Sequence, residues 1–206
     1  GQTDAAIEFV VTRVPENAVS AAVRIERRLD PGDTVIDAEV QVDRPRLWDV
    51  QEPNLYRLQT TLECAAAPAF DEHSVRFGFR DFRVEKGFFR LNGRRIFLRS
   101  SHTLNQCPVG QIVPPAQTAD LLRKDLLYMK AAGFNAVRFI GCTALPYQLD
   151  LCDEIGLMVY EENAAASALA DSPKMAERFD RSVGETIKRD RNHPSVVIWG
   201  LLNEVQ

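Results

Sequence analysis

The feature that most constrains the fold is a change of hydrophobic period between the two halves of the chain. From about residue 83 onward, short apolar runs that fit strands alternate with longer segments in which apolar residues recur at helical spacing. The order is strand, helix, strand, helix, strand, helix, strand. Strands separated by helices pair in parallel through right-handed crossovers, so this half predicts an α/β sheet. The pattern alone fits half of an eight-stranded barrel as well as an open sheet.

The last strand of this alternation ends in two polar residues. Residues 196–202 are all apolar or glycine, which is typical of a strand covered on both faces. Asn203 and Glu204 follow directly. Because catalytic groups are carried at the carboxyl ends of barrel strands, this pair is the strongest functional signal in the chain. The apolar strand also predicts partial desolvation of the Glu204 carboxyl, which favours the protonated form that a proton donor needs.

The first half has the signals of an antiparallel β-domain. Residues 22–27 and 35–42 alternate apolar and polar side chains, as half-buried strands do. Between them, Asp30-Pro31-Gly32-Asp33 predicts a turn, since proline pre-sets φ and glycine accepts positive φ. Five or six such strands without helical periodicity predict a sandwich over residues 1–82, with the α/β unit over residues 83–206. A complete sandwich has about seven strands, which leaves room for one missing strand at the beginning.

Composition excludes several classes of function. The 206 residues are 45% apolar and 26% charged, which is typical of a globular protein. A net charge of −4 and a pI near 5.5 give no electrostatic basis for binding nucleic acid or an anionic membrane. No apolar run approaches the roughly 20 residues that span a bilayer. The four cysteines have no CxxC spacing, and the three histidines are too scattered to predict a metal site. His193 is expected to brace the loop before the last strand.

Five segments between Leu47 and Glu204 carry more specific combinations of residues. They are Leu47-Trp48 with Glu52-Pro53-Asn54-Leu55-Tyr56, Phe77-Gly78-Phe79-Arg80 with Leu91-Asn92-Gly93, Asp125 through Gly133-Phe134-Asn135-Ala136-Val137-Arg138, Leu151-Cys152-Asp153-Glu154-Ile155-Gly156-Leu157, and Arg189-Asp190-Arg191-Asn192-His193-Pro194-Ser195 through Asn203-Glu204. In this order they resemble glycoside hydrolase family 2, the group of β-galactosidases, β-glucuronidases and β-mannosidases. The resemblance implies a multidomain β plus α/β fold. An immunoglobulin-like β-sandwich would be followed by the first four βα units of a TIM (β/α)8 barrel.

The resemblance also implies roles for residues at the strand ends. Glu204 is similar to the family's acid/base. Asn203, unless it caps a helix, is similar to a residue that hydrogen-bonds the sugar 2-hydroxyl, a contact that strengthens as the oxocarbenium ion forms. Arg138 is similar to an arginine that holds the nucleophile ionised, as a nearby guanidinium does. Glu162 matches an acidic residue that usually positions other site groups, and His102 stands where the family often has a substrate-contacting asparagine.

Each of these roles has a structural alternative. Glu204 could be an ordinary surface residue, and Arg138 could belong to an ion pair inside the barrel. Glu161 and Glu162 could form a solvated acidic pair at the end of their strand. His102 could be a loop histidine whose hydrogen bonds are satisfied locally.

Two departures from the family narrow what the resemblance implies. Phe139-Ile140-Gly141-Cys142-Thr143 stands where many members have a Ser-His-Tyr-Pro-like segment that lines the sugar site, so the sugar is left open. Ala164-Ala165-Ala166-Ser167-Ala168 stands where some β-galactosidases bind magnesium, so neither a metal nor a cofactor is expected. The family's nucleophile glutamate follows a seventh strand, which has no counterpart here.

The expected function is therefore that of a retaining β-glycosidase, β-galactosidase-like, acting on a carbohydrate substrate and present as a fragment without its nucleophile. The 206-residue chain alone is expected to be inactive. The open edges of a half-barrel are expected to self-associate or to pair with the missing half. The alternative is a non-catalytic carbohydrate-binding or interaction module, in which Glu204→Gln would leave the function intact. A nucleotide-binding sheet is disfavoured because no strand is followed by a GxGxxG loop.

Overall fold

The fold divides into two units. The structure, a computed structural model, describes residues 1–65, 67–104, 115–165 and 172–205. The first unit comprises Gly1–Arg46 and Asn54–Phe79, and the second comprises Leu47–Pro53 and Arg80–Gln206. In the described part of the chain, no helix has the length and apolar character needed to cross a membrane.

The first unit is built on an antiparallel sheet. Its strands are β1 (Thr3–Val14), β2 (Val19–Leu29), β3 (Leu55–Cys64) and β4 (Ala67–Phe77), in the order β2-β1-β3-β4. Ala5, Ile7 and Val11 share one face of the long central strand β1 and are buried, so the core of this unit lies on that face. The alternating segment at residues 22–27 lies in β2, as the sequence predicts.

The strand predicted at residues 35–42 is wrong, because these residues form no regular strand. Ile36 lines a cavity of about 520 Å³ together with Ile7, Phe9 and Leu62 of the sheet, whereas the neighbouring Val35 is 89% exposed. The alternation of side chains therefore indicates which residue faces the sheet. It does not indicate whether a neighbouring strand accepts the backbone hydrogen bonds.

The second unit begins with a small antiparallel sheet. Its strands are β5 (Phe82–Glu85), β6 (Phe88–Leu91) and β7 (Arg94–Arg95), in that order. Asn92 and Gly93 join β6 to β7 with φ angles of 52° and 78°, the two positive values of a type I′ turn. Lys86 and Gly87 join β5 to β6 in the same way, with φ angles of 52° and 79°.

A parallel sheet interleaved with helices follows. The strands are β8 (Ser100–Leu104), β9 (Ala136–Ile140), β10 (Met158–Glu162) and β11 (Val196–Gly200), and the helices are α1 (Pro115–Ala131), α2 (Pro146–Ile155) and α3 (Met175–Asp190). The spatial order β11-β10-β9-β8 follows the chain, so the predicted alternation of strands and helices is confirmed. Since the four strands run the same way, their carboxyl ends lie at one edge of the sheet.

The two faces of this sheet carry different side chains. Val137, Phe139 and Val159 are buried in a core that includes Leu149 and Cys152 of α2. Because side chains alternate along a strand, Arg138, Tyr160 and Glu162 lie on the opposite face.

The segment Leu47–Pro53 is fixed to the α/β part of its unit by a few buried contacts. Trp48 is fully buried, and its indole Nε1 donates a 2.9 Å hydrogen bond to the carbonyl of Asp153. Lys130 Nζ donates to the carbonyls of both Val50 and Gly156, the latter at 2.7 Å. A Cβ atom on Gly156 would lie 2.6 Å from the Val50 carbonyl oxygen, so glycine is required for this close approach.

Candidate active site

Three strands of the parallel sheet bring an arginine, a glutamate and an asparagine together. Arg138 lies on β9, Glu162 ends β10, and Asn203 follows β11. The guanidinium Nε of Arg138 donates to Glu162 Oε1 at 2.5 Å, and its Nη2 donates to Asn203 Oδ1 at 2.8 Å. These three of the sequence-predicted site residues therefore form one hydrogen-bonded network at the carboxyl edge of the sheet.

Glu162 is the buried centre of this network. Its side chain is fully buried, and its second oxygen, Oε2, accepts a 2.7 Å hydrogen bond from the backbone N–H of Gly141. Gly141 has a φ of 68°, in the left-handed region that favours glycine, and this conformation aims its amide at the carboxylate. The solvated-pair alternative is wrong for both acidic residues, because Glu161 is only 1% exposed. Burial fits Glu162 to orienting Arg138 rather than to touching a ligand.

The arginine fixes which way the Asn203 side chain faces. A guanidinium has only donors, so the atom of Asn203 that faces Arg138 is the amide oxygen. The amide Nδ2, with its two hydrogens, is left without a protein partner in the described part of the chain and can donate to a ligand. The backbone N–H of Asn203 donates to the carbonyl of Ala165 at 2.9 Å, which fixes the main chain at this position.

Glu204 follows this network directly but is placed differently from the expectation. Its side chain is exposed, so the predicted partial desolvation is wrong. Within the described residues it makes no hydrogen bond and no ion pair. Its φ of 50° is in the left-handed region, which is uncommon for a residue with a side chain and recurs at functional sites.

His102 lies next to the network without being bonded to it. It is on β8, in register with Arg138 on β9, so the two share a level of the sheet. It is exposed and belongs to a strand, so the loop-histidine alternative is wrong. Among the described residues its ring has no hydrogen-bond partner, which leaves it available at the rim of the cluster.

Besides Gly141, sequence reasoning missed Tyr160 and Gly200, which also shape the site. The guanidinium carbon of Arg138 lies 5.2 Å from the ring centre of Tyr160, which is a cation–π distance. Gly200 of β11 lies against Tyr160 and Glu162 of β10. A Cβ atom on Gly200 would collide with the Tyr160 ring and lie 2.7 Å from Glu162 Cγ. A glycine in a buried strand is the sequence signal for such a close approach.

Away from this edge, one group of side chains among the described residues has the geometry to hold a metal ion. Ligand atoms of Asp150, Asp153 and His193 lie within 4.8 Å of one another. Sequence reasoning did not bring these residues together. Both carboxylate oxygens of Asp153 already have protein partners. His193 Nδ1 is 2.6 Å from Oδ2, and the Ser195 N–H donates to Oδ1 at 3.0 Å. These contacts fit the predicted bracing role of His193.

The pKa of His193 reflects this environment. Burial alone would lower the pKa, but the hydrogen bond to Asp153 and the negative charges of Asp153, Asp150 and Asp190 outweigh it and raise the pKa. The contact between His193 and Asp153 tethers the loop before β11 to helix α2. The predicted absence of a magnesium site at 164–168 stays a prediction, since residues 166–168 lie outside the described residues.

The arrangement defines a class of protein. Parallel strands joined by helices, with charged and amide side chains converging where the strands end, are the layout of an α/β-barrel enzyme site. Comparison with known proteins identifies the family. The model of the glycosyl hydrolases family 2 TIM barrel domain matches residues 82–206, and a second model, described as glycosyl hydrolases family 2, matches residues 2–80. The chain belongs to glycosyl hydrolase family 2.

Individual relatives agree with this assignment. Beta-galactosidase 2 of Enterobacter cloacae is 32% identical over 222 residues, covering 99% of this chain and 21% of that protein. The crystal structure of a Bacteroides uniformis β-glucuronidase matches with a TM-score of 0.85 and 28% identity, over 99% of this chain and 24% of the other. A Parabacteroides merdae β-glucuronidase matches with a TM-score of 0.83 and 31% identity, over 97% and 25%. The chain thus spans about one-fifth of the length of the curated relative.

The comparisons confirm the expected fold class. The chain comprises the family's immunoglobulin-like β-sandwich domain followed by the start of its TIM barrel. The four-stranded parallel sheet is the structural form of that start.

Proposed function

We propose that this chain carries the acid/base side of the active site of a retaining β-glycosidase, with Glu204 as the acid/base. The observation that supports the proposal is the hydrogen-bonded series Glu162–Arg138–Asn203, which ends beside Glu204 at the carboxyl edge of the sheet. Family membership supplies the reaction class, hydrolysis of a glycosidic bond.

In the proposed reaction each residue has a task. Arg138 holds the oxygen of the Asn203 amide, so the amide N–H group donates to the sugar 2-hydroxyl. That contact strengthens as positive charge develops on the sugar ring. Glu204, next along the chain, donates a proton to the leaving oxygen and then takes one from the attacking water. Glu162 and Gly141 hold Arg138 in place from the buried side.

Retention of configuration needs a second carboxylate about 5 Å from the acid/base, which acts as nucleophile. We assign that carboxylate to a part of a longer protein that follows this chain. The 206-residue chain by itself is therefore inactive, and its outer barrel strands β8 and β11 pair with the rest of the barrel or with a second copy.

The proposed substrate is a β-linked hexoside, with β-galactosides first. The support is the name of the curated relative, a β-galactosidase, beside structural relatives that are β-glucuronidases.

The test is hydrolysis of aryl β-galactoside, β-glucuronide and β-mannoside by the intact protein and two of its variants. Glu204→Gln should reduce kcat/KM on the phenyl glycoside of the preferred sugar, whose leaving group needs the proton, by about 10²–10⁴-fold, the usual contribution of general acid–base catalysis. Glu185→Gln, a change at an exposed glutamate of α3, is the matched control and should leave the rate unchanged. An intact protein that binds these sugars but turns none over, with binding unaffected by Glu204→Gln, would identify a non-catalytic carbohydrate-binding module instead.

A further inference from the structure

Behind the candidate site, on the other face of strand β10, lies a buried acid that the reaction does not use. Glu161 is next to Glu162 in the chain, and side-chain alternation places it on the helix-facing side. Its side chain is fully buried. It borders a cavity of about 10 Å³ whose lining includes Val183 and Ile187 of α3 and Trp199 of β11. A space this small and apolar offers no room for solvation of a carboxylate.

The nearest positive charge is already committed to another carboxylate. Arg189 donates from Nε and Nη2 to the two oxygens of the fully buried Asp190, at 2.7 and 2.6 Å. The same Nη2 donates to the carbonyl of Ala144 at 2.7 Å. It lies 3.6 Å from Glu161 Oε1, beyond hydrogen-bond distance. Within the described residues, neither carboxyl oxygen of Glu161 has a donor.

These contacts decide the protonation state of Glu161. An ionised carboxylate here would be a buried charge facing a second carboxylate, with no donor of its own. Burial is the main cause that raises the pKa of Glu161 to about 9, and the negative charge of Asp190 adds to the effect. The charge of Arg189 opposes it. Near neutral pH Glu161 is therefore a carboxylic acid, whose O–H can donate to Asp190.

The resulting cluster connects three parts of the α/β unit. Asp190 ends α3, Ala144 lies in the loop after β9, and Glu161 is on β10. The flanking residues of Glu161, Tyr160 and Glu162, are the ones that contact Arg138 on the site face. A strand is a stiff element, so a tether at Glu161 fixes the position of both neighbours.

We propose that Glu161 is a positioning residue of the active site: buried beside the Arg189–Asp190 pair, it anchors the carboxyl end of β10 and so fixes the Glu162–Arg138–Asn203 network. This inference rests on the proposed function, because the Glu162–Arg138–Asn203 network matters for catalysis only if the site hydrolyses a glycoside. In the part of the chain that the structure describes, three charged or titratable groups face Glu161: Arg189 and Asp190 from α3 and the Cys152 thiol from α2.

Two substitutions separate this role from simple packing. Glu161→Gln keeps a donor toward Asp190 and stays neutral at every pH, whereas Glu161→Leu keeps the bulk and removes the donor. Because the pocket is apolar and Asp190 retains Arg189, the leucine variant should fold. Glu185→Leu on the exposed side of α3 is the control for a new leucine.

In the intact protein, Glu161→Leu should lower kcat for the preferred aryl glycoside at least about tenfold with KM within about threefold, since sub-ångström misplacement acts on the transition state. Glu161→Gln should stay within about threefold of the parent. It should also keep its activity at a pH above about 9, where the parent loses activity as Glu161 ionises. Leucine-variant kinetics equal to those of the parent, or a glutamine variant as impaired as the leucine variant, would overturn the proposal.

Crystal structures of the same variants give a readout that does not depend on turnover. In the leucine variant the contact between Arg138 Nη2 and Asn203 Oδ1, 2.8 Å here, should be broken, and in the glutamine variant it should be kept. If the parent protein hydrolyses no glycoside, the proposed function fails, and these structures still decide the positioning role. An unchanged Arg138–Asn203 contact in the leucine variant contradicts it.

Discussion

Arg138 and Asn203 are 65 residues apart in the chain, and a 2.8 Å hydrogen bond from the guanidinium Nη2 to the amide oxygen joins them. The bond leaves the Asn203 N–H group facing away from the arginine. Glu162, buried behind, holds the guanidinium from its other side. The orientation of one amide thus depends on two charged groups from two other strands.

This dependence makes Arg138→Lys a severe change. A lysine ammonium is a point charge and cannot bridge Glu162 and Asn203 with the planar fork of a guanidinium. We expect kcat/KM of the intact protein to fall about 100-fold on the preferred glycoside, with thermal stability lowered moderately because Glu162 keeps a cation. Arg123→Lys, at an exposed pair with Glu154, is the matched control and should change neither quantity. A fully active Arg138→Lys enzyme would show that the fork is not needed.

Gly200 gives a second test, through packing alone. A Cβ atom at this position would lie 2.7 Å from Glu162 Cγ and overlap the Tyr160 ring. Gly200→Ala should therefore cost about 1–3 kcal/mol of unfolding free energy and displace Glu162. Gly184→Ala in α3 meets nothing within 4 Å and should stabilise by about 0.5–1 kcal/mol, as alanine does in a helix. Urea unfolding of both variants measures whether the free energy of unfolding falls in Gly200→Ala and rises in Gly184→Ala.

The raised pKa of Glu161 predicts how stability depends on pH. The unfolded chain ionises near 4.5, while the folded protein keeps the proton until about 9. The stabilising contribution is complete below the unfolded value and is lost as pH rises through the folded one. Glu161→Gln has no such proton, so its stability relative to the parent should rise by up to about 1.4 kcal/mol per pH unit within this window. Unfolding curves at several pH values measure this slope. A difference that stays constant with pH contradicts the assignment.

The raised pKa of His193 predicts a second dependence of stability on pH. Its pKa is raised by the hydrogen bond to Asp153 and by neighbouring acids, despite the opposing effect of burial. The contribution is fully present below the ordinary value of 6.5 and is lost as pH rises through the higher folded value. His193→Asn should thus be more destabilising at about pH 5.5 than at about pH 9. His73→Asn, at an exposed position of β4, serves as the control for replacing a histidine by asparagine. Equal destabilisation at both pH values would exclude a charged His193.

Much of the site follows from chain order, because the carboxyl ends of successive parallel strands meet at one edge. Arg138, Glu162 and Asn203 each lie at such an end, so their convergence is predictable before any coordinates exist. The faces of β10 are not predictable. Residues 157–160 are apolar on both sides, as in any strand covered on both faces, so the alternation that would separate Glu161 from Glu162 is absent.

Other parts of the site depend on backbone conformation, which the residue pattern does not encode. The amide of Gly141 reaches Glu162 because φ is positive at that residue, and nothing in the surrounding sequence marks this partner. The exposure of Glu204 depends on how the chain turns after β11. The alternation at residues 35–42 led to a wrong strand prediction for a related reason. It indicates which side chain faces the sheet, but not whether the backbone pairs with a neighbouring strand.

The central claim, that Glu204 is the proton donor, is tested most directly by how Glu204→Gln responds to the leaving group. An acidic leaving group, such as dinitrophenol, departs without help from an acid, whereas an alkyl alcohol needs the proton. In the intact protein, Glu204→Gln should lose at least about 100-fold in kcat/KM on an alkyl β-glycoside and far less on a dinitrophenyl β-glycoside. An equal loss on both substrates, or no loss on either, would contradict the assignment of Glu204 as the acid/base.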